Sequence, residues 1–319
     1  MGKYYIGIDV GGTNLKAGLV DETGALCATA KTPLCWSCAE DFVKALAELC
    51  ISAAEKAKIG KEEICAVGMG VPGEVDREQG KILYTCNIPL RNVPIAALFH
   101  NYLDAPIYLD NDANCAALGE YYAGAGRGCK NLIVVTLGTG VGAGILLGGK
   151  LLRGVNGDAG EVGHTVIVPD GYPCPCGRKG CWEQYSSAPA LKRLTVEAME
   201  KHPESALWAH CQGDTGKIGG RSAFQVAREC GDAAAVSVCE QYVSYLALGI
   251  TNLVNIFQPE MVCIGGGVSN EEDSALLFPL QRLVEQERYG RDRRPAPRIV
   301  KAQLGNDAGI VGAALLGMK

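Results

Sequence analysis

A layout of strand, glycine turn and strand occurs twice in this chain, and it limits the possible folds more than any other feature. The first copy is "YYIGIDVGGTNLKAGLVDETGALCATA", from Tyr4. Tyr4–Asp9 is apolar and β-prone, Gly11 and Gly12 turn the chain, Thr13–Val20 returns, and "DETG" turns it again. From Leu132, "LIVVTLGTGVGAGILLGGKLLRG" repeats the arrangement with different residues. Apolar residues fall at helical spacing in "EDFVKALAELCISAAEKA" and in "DAAAVSVCEQYVSYLALGITNLVNIF". "ICAVGMG" and "EMVCIGGGVSN" read as short buried strands, "VPGEVD" as a turn-rich loop, and "APIYLDNDANCAALGEYYAG" as strand, loop and helix. "DAGIVGAALLGM" closes the chain as a helix of small residues. Such alternation predicts an α/β fold in two related halves.

Charge and targeting signals narrow the partners. Thirty Lys and Arg against thirty-five Asp and Glu leave a net charge of −5, which argues against a nucleic-acid or anionic-membrane partner. The longest uncharged stretch, from Leu132, has the length of a membrane span, but its glycines with Thr136 and Thr139 divide it into two strands. Asp9 interrupts the first apolar run, so no secretory signal is read and a cytoplasmic location is expected. The fifteen cysteines then read mostly as small buried residues kept reduced. "CWSC" at Cys35–Cys38 has redox spacing, yet Ser37 and Glu40 also form a capping box for the following helix. The cap is the reading preferred, because no thioredoxin-like context surrounds the pair.

Three glycine-rich turns are candidate backbone approaches to a ligand: "DVGGTN", "LGTGVGAG" at Gly138, Thr139 and Gly140, and "GGG" at Gly265–Gly267. A dinucleotide fingerprint must open a helix, whereas "ILLGG" after the second turn reads as strand. A Walker A pattern is absent. Together the turns fit a nucleotide held between two halves. In "LDNDAN", Asp112 suits a helix N-cap, but Asn111 and Asp112 at a strand's end also suit gripping a polyol and taking a hydroxyl proton.

The strongest local signal is "HTVIVPDGYPCPCGRKGCWEQYSS". His164, Cys174, Cys176 and Cys181 form a Cys₃His set suited to a closed, tetrahedral, structural zinc, with an iron–sulfur centre or bare thiols as alternatives. With one imidazole nitrogen on metal, the other becomes a fixed donor. Glu161 and Glu183 flank the set, and two carboxylates with an imidazole N–H match a hydroxyl-rich substrate.

"CPCGRKGCWEQYSS" resembles the signature of the ROK family of sugar kinases, and "GDAGEVGH" resembles that family's sugar-binding segment. "DVGGTN", "VPGEVD", "LDNDAN", "LGTGVGAG" and "IGGGVS" follow in the family's order, so the resemblance covers nearly the whole chain. It implies a two-lobed, actin-like (ribonuclease-H-like) ATPase fold with an inter-lobe cleft. Residues 1–115 plus 306–319 would form the N-terminal lobe, and 116–305 a C-terminal lobe carrying the zinc loop 164–181. The motifs look most like those of bacterial members that phosphorylate glucose on its 6-hydroxyl with ATP.

By the same resemblance Asp112 is the catalytic base, and Asn111, Glu161, His164 and Glu183, with Gly73 and Asn87, contact the sugar. Asp9 orients Mg²⁺ through water, and Gly11, Gly12 and Thr13 face the ATP phosphates. Gly138, Thr139 and Gly140 hold them from the other lobe, while Gly265, Gly266 and Gly267 flank the adenosine. "NIPLRNV" lacks the tryptophan that members often carry after the position of Asn87. Other ROK hexokinases, acting on N-acetylmannosamine, mannose, fructose or allose, are the alternative. A sugar-responsive regulator would carry a DNA-binding segment before the first strand, which here starts at Tyr4. A homodimer or homotetramer is implied.

Overall fold

The computed structural model describes residues 2–11, 14–34, 36, 38–85 and 89–318. Gly12, Thr13, Cys35, Ser37 and Asn87, each given a role above, lie outside the described residues. The chain forms two compact units: residues 1–134, 144–160 and 302–319, and residues 135–143 and 161–301.

In the first unit, β1 (Tyr4–Val10), β2 (Asn14–Asp21) and β3 (Leu26–Pro33) form the expected antiparallel ribbon. The "DETG" turn closes because Asp21 Oδ1 accepts the N–H groups of Thr23 and Ala25, at 2.8 and 3.0 Å. α1 (Ala39–Lys56) follows, with Cys38 at its N-cap position and no side-chain cap bond from it; the capping box expected at Ser37 and Glu40 involves Ser37 and so lies outside the described residues. Its Phe42, Val43 and Leu46 are fully buried in one core with Ile6, Ile8, Leu15 and Leu19. β4 (Ile64–Val71) pairs parallel with β1.

"VPGEVD" is not the turn-rich loop expected. β5 (Gly73–Asp76), β6 (Lys81–Thr85) and β7 (Arg91–Val93) make a separate antiparallel sheet, with α2 (Ile95–Phe99) after it. β8 (Ile107–Asn111) then completes the main sheet, parallel to β4, and runs without a loop into α3 (Asp112–Tyr122). The sheet order is β3-β2-β1-β4-β8.

The second sheet repeats this order. β9 (Leu132–Leu137), β10 (Val141–Leu147), β11 (Lys150–Leu151), β12 (Met261–Gly265) and β13 (Arg298–Lys301) run β11-β10-β9-β12-β13. The long uncharged stretch from Leu132 is therefore two strands, and the duplicated layout is the ribonuclease-H-like one. The second unit also holds α4 (Glu183–Ser186), α5 (Ala188–Lys201), α6 (Leu207–His210), α7 (Ser222–Cys230), α8 (Ala233–Phe257) and α9 (Leu277–Glu287). Among the described helices α8 alone is long and apolar enough to cross a membrane, and it buries Val238, Tyr242, Leu246 and Ile250 against protein. Asp232 caps it, accepting the Ala235 N–H at 2.9 Å.

Residues 116–134, 144–160 and 302–305, expected in the C-terminal lobe, belong to the first unit. The cause is α3. Its Gly119 lies against Ala308 of the last helix, α10 (Ala308–Leu315), and its Ala117 against Gly144. Its buried Glu120 accepts the N–H groups of Gln303 and Leu304 at 3.1 and 2.7 Å. α10 meets the sheet and α3 backbone to backbone: a Cβ on Gly7 would overlap the Ile310 carbonyl and one on Gly68 the Ala313 carbonyl, while one on Gly312 would overlap the Cys115 carbonyl of α3. Carbonyls cannot rotate aside as side chains can. Gly312→Ala is therefore expected to cost about 3 kcal/mol, the upper end of ordinary overpacking, read as a lowered denaturant midpoint.

Candidate active site and metal centre

The first unit gathers several of the candidate residues at the carboxyl ends of parallel strands, where α/β sheets bind ligands. Asp9 on β1, Gly70 on β4 and Asp110 on β8 stand in one register row. Asn111 is the last residue of β8 and the N-cap of α3, its Oδ1 accepting from Ala113 N at 2.9 Å and Asn114 N at 3.2 Å. The cap considered for Asp112 thus belongs to Asn111, and Asp112 is the first helical residue. Its Oδ1 accepts the Ala113 N–H at 2.9 Å. Gly70 leaves room for this corner; a Cβ there would touch Asp112 Cα at 3.4 Å. Burial raises the Asp9 carboxyl above its ordinary range, with Lys16 opposing, which is the setting in which a nearby cation is welcome.

Gly11 closes the β1–β2 turn by donating to Asn14 O at 3.1 Å. Gly73, at φ +153°, lies so close to the Tyr84 carbonyl that pairing of β5 with β6 excludes a side chain. Sequence reading passed over Asp110, which is 1 % exposed and ion-paired with Arg77 and Arg153. The available signal was a charged residue at the end of an apolar strand, which has to find a partner.

In the second unit the Gly138–Gly140 turn is closed by Gly138 N donating to Gly140 O at 3.0 Å, and Gly138 O accepts from Ala188 N at 2.9 Å. Thr139 is exposed at its tip. Glu183 Oε2 accepts the Val141 N–H at 3.2 Å, and a Cβ on Gly140 would collide with that carboxylate. Glu183 therefore lies beside a turn that sequence reading linked only to phosphates. Gly265 ends β12, buried. Gly266 has φ +85° with the Leu137 backbone where a Cβ would be, and Gly267 opens a 3₁₀ turn to Asn270.

The four expected metal ligands do converge: one ligand atom from each of His164, Cys174, Cys176 and Cys181 lies within 4.8 Å of all the others. Cys174 Sγ is 3.6 Å from His164 Nδ1, and Cys176 Sγ is 3.6 Å from Cys181 Sγ. Ligands around a tetrahedral zinc are separated by roughly 3.5–3.8 Å, so the set fits that ion. Nδ1 faces the sulfurs, and Nε2 lies 4.0 Å from Glu161 Oε2.

Backbone contacts shape the loop. Cys174 N donates to Arg178 O at 2.8 Å, Gly177 N to Cys174 O at 2.9 Å, and Trp182 N to Thr165 O at 2.8 Å. Desolvation pushes the Cys181 thiol up to about 12, with the neighbouring thiols adding to it, and raises Cys174 too. Without a cation these sulfurs would resist becoming thiolates.

The ROK family model matches residues 5–319. A glucokinase of Streptomyces coelicolor is 40% identical over 311 residues, covering 97% of this chain and 96% of that protein. One from Halalkalibacterium halodurans is 37% identical over 319 residues, covering 98% and 94%. Among solved structures, a ROK family glucokinase from Streptomyces griseus in complex with glucose and AMPPNP is 38% identical, with a TM-score of 0.84 and 98% of each chain covered. The duplicated sheets carry the fold of ROK sugar kinases, and the chain belongs to the ROK family.

Proposed function

We propose that this chain is a glucokinase that transfers the γ-phosphoryl group of ATP to the 6-hydroxyl of glucose. The observation that carries the reading is the end-to-end likeness to the S. griseus enzyme whose structure holds glucose and AMPPNP. The first unit's strand ends add a base and an amide, Asp112 and Asn111, at one corner.

Phosphoryl transfer asks the protein mainly for positioning and charge stabilisation. Asp112 orients the attacking hydroxyl and accepts its proton as the new P–O bond forms. Asn111 Oδ1 is committed to the helix, so what this residue offers a hydroxyl is its amide N–H. Glu161 and Glu183 accept from vicinal hydroxyls, and His164 Nε2–H donates to another. Gly73 and Asn87 are further sugar contacts. Asp9, Gly11, Gly12 and Thr13 serve the ATP phosphates with Gly138, Thr139 and Gly140, and Gly265, Gly266 and Gly267 flank the adenosine. Mg²⁺, when bound near Asp9, neutralises charge on the phosphate oxygens. Zn²⁺, when bound by His164, Cys174, Cys176 and Cys181, is structural, because three thiolates and an imidazole leave no open position. The net negative charge and abundant thiols support a cytoplasmic enzyme without nucleic-acid or membrane partners. A homodimer or homotetramer goes with this reading.

An ADP-release assay across glucose, mannose, fructose, N-acetylmannosamine and allose at fixed ATP tests the assignment. A higher kcat/KM on another hexose transfers it to that sugar. Asp112→Asn should lower kcat by about 10²–10⁴-fold while calorimetry finds glucose affinity nearly unchanged, since the amide keeps the shape but takes no proton. Elemental analysis should find one zinc per chain, and Cys181→Ser should abolish it and lower Tm. Normal Tm and normal activity in chelated, metal-free protein would defeat the structural role.

A further inference from the structure

Beneath the corner that presents Asn111 and Asp112 lies a charge cluster with no part in the reaction as written above. Asp110, 1 % exposed, shares out both carboxylate oxygens. Oδ1 accepts Asn111 N and Asn114 Nδ2, each at 2.9 Å, which pins the strand end and the first turn of α3. Oδ2 accepts from Arg153, at 2.9 Å from Nε and 2.8 Å from a terminal nitrogen, and lies 3.4 Å from Arg77 Nε. One buried anion thus faces two guanidinium groups drawn from distant parts of the sequence.

Each arginine belongs to a segment that sequence reading tied to the sugar. Arg77 directly follows β5, the strand that begins at Gly73. Arg153 opens the turn that carries Gly157–Gly160: its carbonyl accepts Ala159 N at 3.0 Å, and Gly154 takes φ +70°. Gly157 in turn approaches Val75 O, at 3.9 Å from where its Cβ would be. A carboxylate removed from water binds such groups strongly and directionally, so its geometry is transmitted to whatever backbone holds it.

We infer that Asp110, clamped by Arg77 and Arg153, is a positioning residue for phosphoryl transfer: the cluster sets the β8–α3 corner and the 153–160 turn in register, and thereby aims Asp112 at the sugar hydroxyl. The inference rests on the sugar-kinase reading.

The test uses the full chain with Asp110→Asn, Arg153→Met, Arg153→Lys and the Asp110→Asn/Arg153→Met double variant. Misplacing a base by a fraction of an ångström should lower kcat/KM for glucose by about 10–100-fold, with KM for ATP held within about twofold. The lysine variant should recover most of that loss, and the double variant should be no worse than the poorer single one. Circular dichroism establishes folding; if Asp110→Asn does not fold, the two Arg153 variants decide. A folded Arg153→Met within about threefold of the parent overturns the inference, as do equal effects on both substrates or multiplying losses in the double variant. A parent inert towards every hexose defeats the functional reading and this inference with it. An active parent with indifferent variants defeats the inference alone.

Discussion

Backbone pressed against backbone is the constraint on which the first unit depends. α10 touches β1 at Gly7 and β4 at Gly68 through the Ile310 and Ala313 carbonyls, and its own Gly312 meets α3 at the Cys115 carbonyl. Close-packed interiors tolerate little volume change, and contacts between main chains tolerate least. The last helix therefore fixes the heights of β1 and β4 relative to α3. The row of Asp9, Gly70 and Asp110 at the strand ends follows from that registration. Chemistry that needs groups placed to a fraction of an ångström is built on a sheet whose strands cannot slide.

The second unit meets the same demand differently. Residues 164–181 have almost no regular structure, only isolated bridges from Val166 to Cys181 and from Pro173 to Lys179. Backbone bonds from Cys174 N to Arg178 O and from Trp182 N to Thr165 O order this segment, with the side chain of Trp182 buried behind. Glu183 follows Trp182 in the chain and lies against the Gly140 turn, its Oε2 accepting the Val141 N–H.

Local patterns carried most of what the sequence disclosed. Period-two apolar runs with glycine turns marked both antiparallel ribbons, and the Cys and His spacing marked four side chains that converge. Features that depend on distant partners were hidden. Asp110 and Arg153 are 43 residues apart, and nothing near either one announces the other. β5, β6 and β7 are short and half-exposed, and "VPGEVD" contains the residues that usually mark a turn, so pairing across residues 73–93 overrode the local signal. The lobe boundary moved for a similar reason: small residues on α3 pack against a helix nearly two hundred positions later.

Trp182 follows Cys181 directly and is wholly enclosed, its Nε1–H donating to Tyr245 O at 3.1 Å and its ring occupying the space that Gly249 leaves on α8. The cysteine loop cannot lift from α8 without wetting that indole. The chain has only three tryptophans, so the protein carries its own optical reporter. Trp182 contributes to the ultraviolet emission of the native chain alongside Trp36 and Trp208, and its share changes if the thiol-rich loop leaves its seat.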